Sequence, residues 1–376
     1  MNFELSDEQK DVQKAAREFA QGEFDPDLAL ELDQTGQFPE SIWKKAAQLG
    51  FIGIQYPDEY GGQGLGHFEY VLVIEAFCRA DSSIGSALCT GDIGSELLLK
   101  FGSHEQKRKF LPPLAKGEKQ LSAAFSHLEE EKESSIPSSV AKKSGEGYLL
   151  QVEKILIPNL PLANAFIIFC NEPEEGWITL IVEKEEVMKI HPIEKMGLRM
   201  IPFGYLHVKD FWVPFSNRLG YEGVGMNHIK CFNQAMAIRR LAQALGMAQG
   251  AFDRAIQHAK QREQFSRKLS QFQVIRHKLA DMAVSIEVAR WLTYNSAIEY
   301  DQGRIDSGFL PLAQLEVGRR SLWTVDEALQ IFGGYGYVVD QAIEHYYRDI
   351  LTIGLELGTE DEQKDVIAER ILGPIQ

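Results

Sequence analysis

Residue types and spacings that carry familiar chemistry are scarce in this chain. It has no G-x-S-x-G turn to present a nucleophilic serine, no H-E-x-x-H helix to hold zinc and no G-x-x-x-x-G-K-[ST] loop to cradle phosphate. The nine histidines are scattered without ligand spacing, and Cys78, Cys89, Cys170 and Cys231 form no C-x-x-C pair, so neither a metal site nor a disulfide framework is expected. Gly223-Val-Gly225 and Gly334-Tyr-Gly336 lack the third glycine of a dinucleotide fingerprint, which argues against a Rossmann domain. Two glycine-rich turns remain as places where backbone could approach a ligand closely: Tyr56-Pro-Asp-Glu-Tyr-Gly-Gly-Gln-Gly-Leu-Gly66 and Gln330-Ile-Phe-Gly-Gly-Tyr-Gly336.

The elements that must position these turns follow from periodicity. Ser6 with Gln9, and Ser103 with Gln106, have capping-box spacing and open helical stretches in the first third. From about residue 121 the apolar period falls to 2, with strands expected over Leu149–Val152, Ala165–Cys170, Trp177–Val182 and Tyr205–Val213, which reads as an antiparallel β unit. The acidic run Glu129–Glu133 reads as a solvated loop. After Gly225 helix returns. Ile275, Leu279, Met282, Ile286 and Ala289 make one apolar stripe, and Ala235, Ala242, Ala244, Gly246, Ala248, Gly250 and Ala251 make a small-residue surface suited to close helix packing. Pro311 suits a helix first turn, and Thr359 with Glu362 caps a last helix. The units expected are residues 1–120, helical; 121–225, β; and 226–376, helical bundle. With 39 Lys and Arg against 54 Asp and Glu, the net charge of −15 excludes a general nucleic-acid or anionic-membrane binder. No apolar run approaches a membrane span, so a soluble cytoplasmic protein is expected.

Ala259-Lys-Gln-Arg-Glu-Gln-Phe265, Gln271-Phe-Gln273 and Leu279-Ala-Asp-Met282 resemble the Y-A-x-x-R-x-Q-F-G…F-Q…L-A-D-M pattern of the acyl-CoA dehydrogenase family. Tyr56–Gly64, Gln330–Tyr337, Tyr347-Arg-Asp349 and Gly358-Thr359 match further motifs of that family along the chain. The resemblance implies an α+β multidomain protein: an N-terminal helical domain, a middle antiparallel β domain and a C-terminal four-helix bundle. It also implies FAD bound between domains and across the interface of a homotetramer or homodimer, an acyl-CoA or acyl carrier protein thioester as substrate, and an electron-transfer partner. Carried over, Arg262 meets the FAD pyrophosphate with Gln264 and Phe265 nearby. Gln330, Gly333 and Gly334 approach the adenosine of a neighbouring subunit's FAD, and Ser126 and Thr359 complete the cofactor set. Arg262, Arg267 and Lys268 form the local positive charge for phosphate.

The family removes an α-proton from the thioester with a carboxylate as the β-hydrogen leaves to the flavin. At the usual base position this chain carries Leu357, and at the alternative position on the first bundle helix it carries Met236, followed by Ala237. Around the flavin ring the family's T-E-P-x-A-G-S-D becomes Ser126–Glu133, and W-[IV]-[ST]-N becomes Leu156-Ile-Pro-Asn159. Pro158 brings neither hydroxyl nor N–H. Four readings follow: Glu356 serves as base; the enzyme acts on a different thioester, for example one on an acyl carrier protein in a specialised biosynthetic pathway, with altered oxidation chemistry; the chain is a degenerate binding or scaffold subunit; or it is a flavin-dependent oxygenase. The backbone N–H at Leu357 is expected to remain available to polarise the thioester carbonyl, because that donor is independent of the side chain.

Overall fold

The computed structural model describes residues 4–124, 139–304 and 308–373. The first block contains α1 (Asp7–Glu23), α2 (Pro26–Thr35), α3 (Glu40–Gln48), α4 (His67–Ala80), α5 (Ser82–Leu88), α6 (Ser95–Phe101) and α7 (His104–Ala115). Both expected capping boxes form, with Ser6 accepting from the Gln9 N–H and Ser103 from the Gln106 N–H. The buried α4 is the spine of this block, and α1 packs on it through Phe19 and Phe77, whose rings lie 5.5 Å apart.

The β unit follows: β1 (Leu121–Ala123), β2 (Ser139–Ser144), β3 (Gly147–Pro158), β4 (Ala165–Glu172), β5 (Gly176–Glu183), β6 (Lys189–Ile193) and β7 (Phe203–Pro214). Each expected strand is present and most pairings are antiparallel, but the sheet is mixed. Its order is β1-β4-β2-β3-β7-β6, with β5 on β4, and β1 runs parallel to β4 in the register Leu121↔Ala165. The physical reason is connection length: β2 and β3 lie between β1 and β4 in the chain, which supplies the crossover that parallel pairing requires.

The bundle is built on α8 (Gly225–Gln261), a helix of 37 residues and so about 55 Å long. A short hairpin, β8 (Glu263–Gln264) and β9 (Arg267–Lys268), leads into α9 (Gln273–Asp301), followed by α10 (Phe309–Phe332), α11 (Ile343–Glu356) and α12 (Glu360–Leu372). The small-residue surface of α8 seats on α4. A Cβ at Gly246 would lie 2.6 Å from the Glu75 carbonyl oxygen, and one at Gly250 2.3 Å from that of Arg79, so only glycine allows this approach. On α9 the expected stripe faces the core, with Met282, Ile286 and Ala289 buried. Among the described residues no helix is long and apolar enough to cross a membrane.

Candidate functional site at two ends of one helix

The far end of α8 opens on a groove. Arg262 terminates the helix, its N–H bonding back to the His258 carbonyl at 2.8 Å. The β8–β9 hairpin then turns through Phe265 and Ser266, both at positive φ (52° and 61°), the primed geometry of a two-residue hairpin. Phe265 is 88% exposed there, so a large apolar ring is held out in a conformation that non-glycine residues seldom adopt. Facing it, α10 stops at Gly333, whose φ of 59° and ψ of −136° are accessible only to glycine.

Between them lies a groove of about 410 Å³ whose lining includes His258, Arg262, Gln264, Phe332, Gly333 and Gly334. The His258 ring stacks on Phe332 at 4.2 Å, and burial, followed by the Arg262 charge, keeps its pKa below the usual histidine value. The Arg262 guanidinium lies 5.0 Å over the Tyr335 ring. A Cβ at Gly333 or Gly334 would meet nothing within 4 Å, so the space before them is open. Four residues from the cofactor set therefore converge. Phe265 stands at the hairpin tip, and Gln330 is exposed on the last turn of α10, its carbonyl accepting from the Gly333 N–H. The expected cationic cluster divides, because Arg267 turns to stack on Phe272 at 3.8 Å.

The middle of α8 holds the other corner. Leu357, Met236 and Ala237 are buried, and no carboxylate occupies either family base position. Glu356, the last residue of α11, directs Oε2 to Arg240 Nε at 2.5 Å. Arg240 lies one turn beyond Met236 on α8, and Glu356 is adjacent to Leu357, so the ion pair spans the two base positions. Arg240 Nη1 also donates to Gln243 Oε1 at 2.7 Å. Burial raises the Glu356 carboxyl above the ordinary glutamate range, although Arg240 and then Lys195 act against it. Burial brings Lys195 down to about 8, and its Nζ donates to the Leu198 and Ile201 carbonyls at 2.7 and 2.8 Å.

Two expectations change here. The Leu357 N–H donates to the Ile353 carbonyl at 3.0 Å and so is spent on the last turn of α11; it does not point freely at a substrate. The Leu357 carbonyl is also engaged, accepting from Gln314 Nε2 at 2.8 Å and Gln363 Nε2 at 3.1 Å. Thr359 is the N-cap of α12, its hydroxyl accepting from the Glu362 N–H and donating to Glu362 Oε2 at 2.9 Å. Ser126 and the Glu129–Glu133 run lie outside the described residues. Of the altered ring motif, the Pro158 carbonyl accepts from the Ser122 hydroxyl and the Asn159 amide donates to Thr90 Oγ1, both at 2.6 Å. Asn159 is buried, and its Oδ1 has no hydrogen-bond partner among the described residues.

A third cluster was not anticipated. Arg239, beside Arg240, is buried against Asp92 at 3.2 Å, donates to the Cys89 carbonyl and lies 5.3 Å over the Tyr70 ring. Tyr56 donates to Asp92 at 3.4 Å, and burial pushes Glu96 up to about 7. The signal for both ion pairs was in the sequence as two adjacent arginines inside an otherwise small and apolar helix, where charge must find partners.

Comparison with known proteins decides the family. Residues 6–118 match the N-terminal domain model of acyl-CoA dehydrogenase, and residues 225–372 match the C-terminal domain model. The chain belongs to the acyl-CoA dehydrogenase family. It is 36% identical to the 3-(aryl)acrylate reductase of Clostridium sporogenes, over 96% of this chain and 97% of that one. It is 32% identical to the CarC subunit of the caffeyl-CoA reductase-Etf complex of Acetobacterium woodii, over 98% and 99%. The solved structure of butyryl-CoA dehydrogenase from Megasphaera elsdenii superposes with a TM-score of 0.92 at 29% identity, covering 99% of this chain and all of that one. The protein is thus an FAD-dependent oxidoreductase of the acyl-thioester type. The residues present suit FAD: a guanidinium and an amide beside an open glycine cradle fit a dinucleotide's phosphates and sugar, and the orphaned Asn159 acceptor lies within the altered ring motif.

Proposed function

We propose that this member is an active enzyme at the α,β carbons of an acyl-CoA or acyl carrier protein thioester, with Glu356 as the group that exchanges the α-proton. The observation that carries this reading is the buried Arg240–Glu356 pair, which supplies a carboxylate adjoining both apolar base positions and argues against a degenerate subunit. A carboxyl raised by burial suits proton exchange near neutral pH. When bound, FAD supplies the two-electron partner for the β-carbon. Arg262 and Gln264 hold its pyrophosphate, and Gly333 and Gly334 let backbone approach the adenosine side. Because this groove is open and the aromatic Phe265, Tyr335 and Tyr337 stand exposed around it, it serves the cofactor of a second copy of the chain in a homodimer or homotetramer. The relatives named above include two reductases, one of them in an Etf complex, which supports electron exchange with a flavoprotein partner and action on an unsaturated thioester.

The test is direct. The purified protein should carry one FAD per chain. Its flavin absorbance should bleach on anaerobic addition of butyryl-CoA or 3-phenylpropionyl-CoA, or, once bleached chemically, recover on addition of crotonyl-CoA or cinnamoyl-CoA. A colourless protein that takes up no added FAD, or a flavoprotein whose spectrum answers none of these thioesters, would overturn the reading.

A further inference from the structure

We propose that Arg240 is a positioning residue for the acid–base step: its guanidinium holds the Glu356 carboxylate at the junction of the two apolar base positions and sets the pH range in which that carboxylate accepts a proton. The inference rests on the reading of Glu356 as the α-proton acceptor.

Three observations support it. First, the pair is held inside the fold. The Arg240 side chain is 1% exposed and that of Glu356 15%, and both Glu356 carboxylate oxygens are buried, so the carboxylate meets the guanidinium away from bulk water. Second, the guanidinium is fixed independently of the carboxylate, through Nη1 to Gln243 Oε1 on the same helix, so its fork is oriented before it meets Glu356. Third, its neighbours on α8, Ala237, Ile238 and Leu241, are apolar and buried. A buried ion pair in such a setting is a poor device for stability, because apolar residues of similar volume commonly do as well. Its presence beside two vacated base positions is better explained by the proton step.

The electrostatic surroundings are definite. Glu356 is faced by Arg240 from α8 and by Lys195 from the segment after β6. Arg240 in turn feels Arg239 on its own helix, Cys89 and Tyr70, while Lys195 also feels Asp349 of α11, Arg199 and Asp33. In the step itself, the Cα–H bond breaks, the proton passes to a Glu356 oxygen, and the bonding pair stays on the substrate as the enolate of the thioester. The step requires Glu356 ionised, so its rate falls as pH drops through the Glu356 pKa. Removing Arg240 leaves burial opposed by Lys195 alone, so that pKa rises and the acid limb moves to higher pH.

Phenylacetyl-CoA isolates this step, because its β-carbon carries no hydrogen and only α-proton exchange is possible. With the FAD-loaded enzyme in D2O, deuterium incorporation read by mass spectrometry should fall about 10²–10⁴-fold in Glu356→Gln. In Arg240→Gln the acid limb should move up by about 1–2 pH units. In Arg240→Lys, which keeps the charge but loses the fork, the limb should stay within about half a unit of the parent while the plateau rate falls roughly tenfold. Should Arg240→Gln prove too unstable, Arg240→Lys alone decides, since a plateau at the parent's rate shows that the fork is not needed. An acid limb unmoved in Arg240→Gln overturns the role of Arg240 and leaves Glu356 standing. Undiminished exchange in Glu356→Gln overturns the acceptor reading and this inference with it.

Discussion

Charge is handled in opposite ways at the end and in the middle of α8. At its end, Arg262 is half-buried over an aromatic ring and beside an open groove, and the hairpin after it holds Phe265 out at 88% exposure. In its middle, Arg239 and Arg240 are almost wholly buried and each is closed by a carboxylate of this same chain, Asp92 and Glu356. The first arrangement leaves its groove open. The second has its charges matched within this chain. The contrast also bears on where the chain departs from its family: motif residues are retained around the groove, whereas both family base positions are apolar, Leu357 and Met236, and the proposed acid–base pair stands one residue and one turn away.

The comparison can be broken most forcefully in the closed corner. Arg239→Met leaves Asp92 buried without its cation, and Asp92→Asn leaves Arg239 in the same state; each should cost about 3–5 kcal/mol of unfolding free energy, read from urea denaturation. The double variant Arg239→Met/Asp92→Leu should recover much of that loss, since removing both charges leaves none stranded. Single variants within about 0.5 kcal/mol of the parent would show that the corner is not closed as described. At the open end the same kind of change should behave differently. Arg262→Ala removes the proposed charge-assisted contact to the cofactor, so FAD affinity should fall about 10–100-fold in titrations of apoprotein, with unfolding free energy changed by less than about 0.5 kcal/mol. If stability fell and affinity did not, Arg262 would be a structural residue and the contrast would fail.

What the sequence made legible follows range of interaction. Capping boxes at Ser6 and Ser103, the α9 stripe, the strand positions and the glycine stop after Phe332 are local patterns, and each appears in the structure. The convergence of Arg262 and Gln264 with Gly333 and Gly334 followed from family motifs, because periodicity gives no sign that segments about seventy residues apart share a groove. Illegible were pairings that join distant positions: β1 alongside β4, Arg239 with Asp92 across 147 residues, and Arg240 with Glu356. A sequence states that two arginines in an apolar helix need counter-charges; it does not state which of 54 acidic residues supply them. The Leu357 N–H was misjudged for a related reason. Whether a terminal amide is free depends on where α11 ends, and element ends are set by fine differences in capping.

Thr359 follows the closed corner in the chain and yields the smallest effect and the sharpest sorting. The family resemblance places it with the cofactor, whereas the structure makes it the N-cap of α12 in a full capping box with Glu362, two residues beyond buried Leu357. Thr359→Ala should therefore cost about 1 kcal/mol of stability, and Thr359→Ser should cost little, because serine keeps the accepting oxygen. If the hydroxyl is occupied by Glu362 as observed, FAD affinity should be unchanged in both variants, and α12 should show faster amide exchange in Thr359→Ala alone. A drop in FAD affinity in Thr359→Ala that Thr359→Ser restores would instead require the hydroxyl to leave its cap for the cofactor. The segment joining α11 to α12 would then rearrange on FAD binding, and the corner described as closed would open with it.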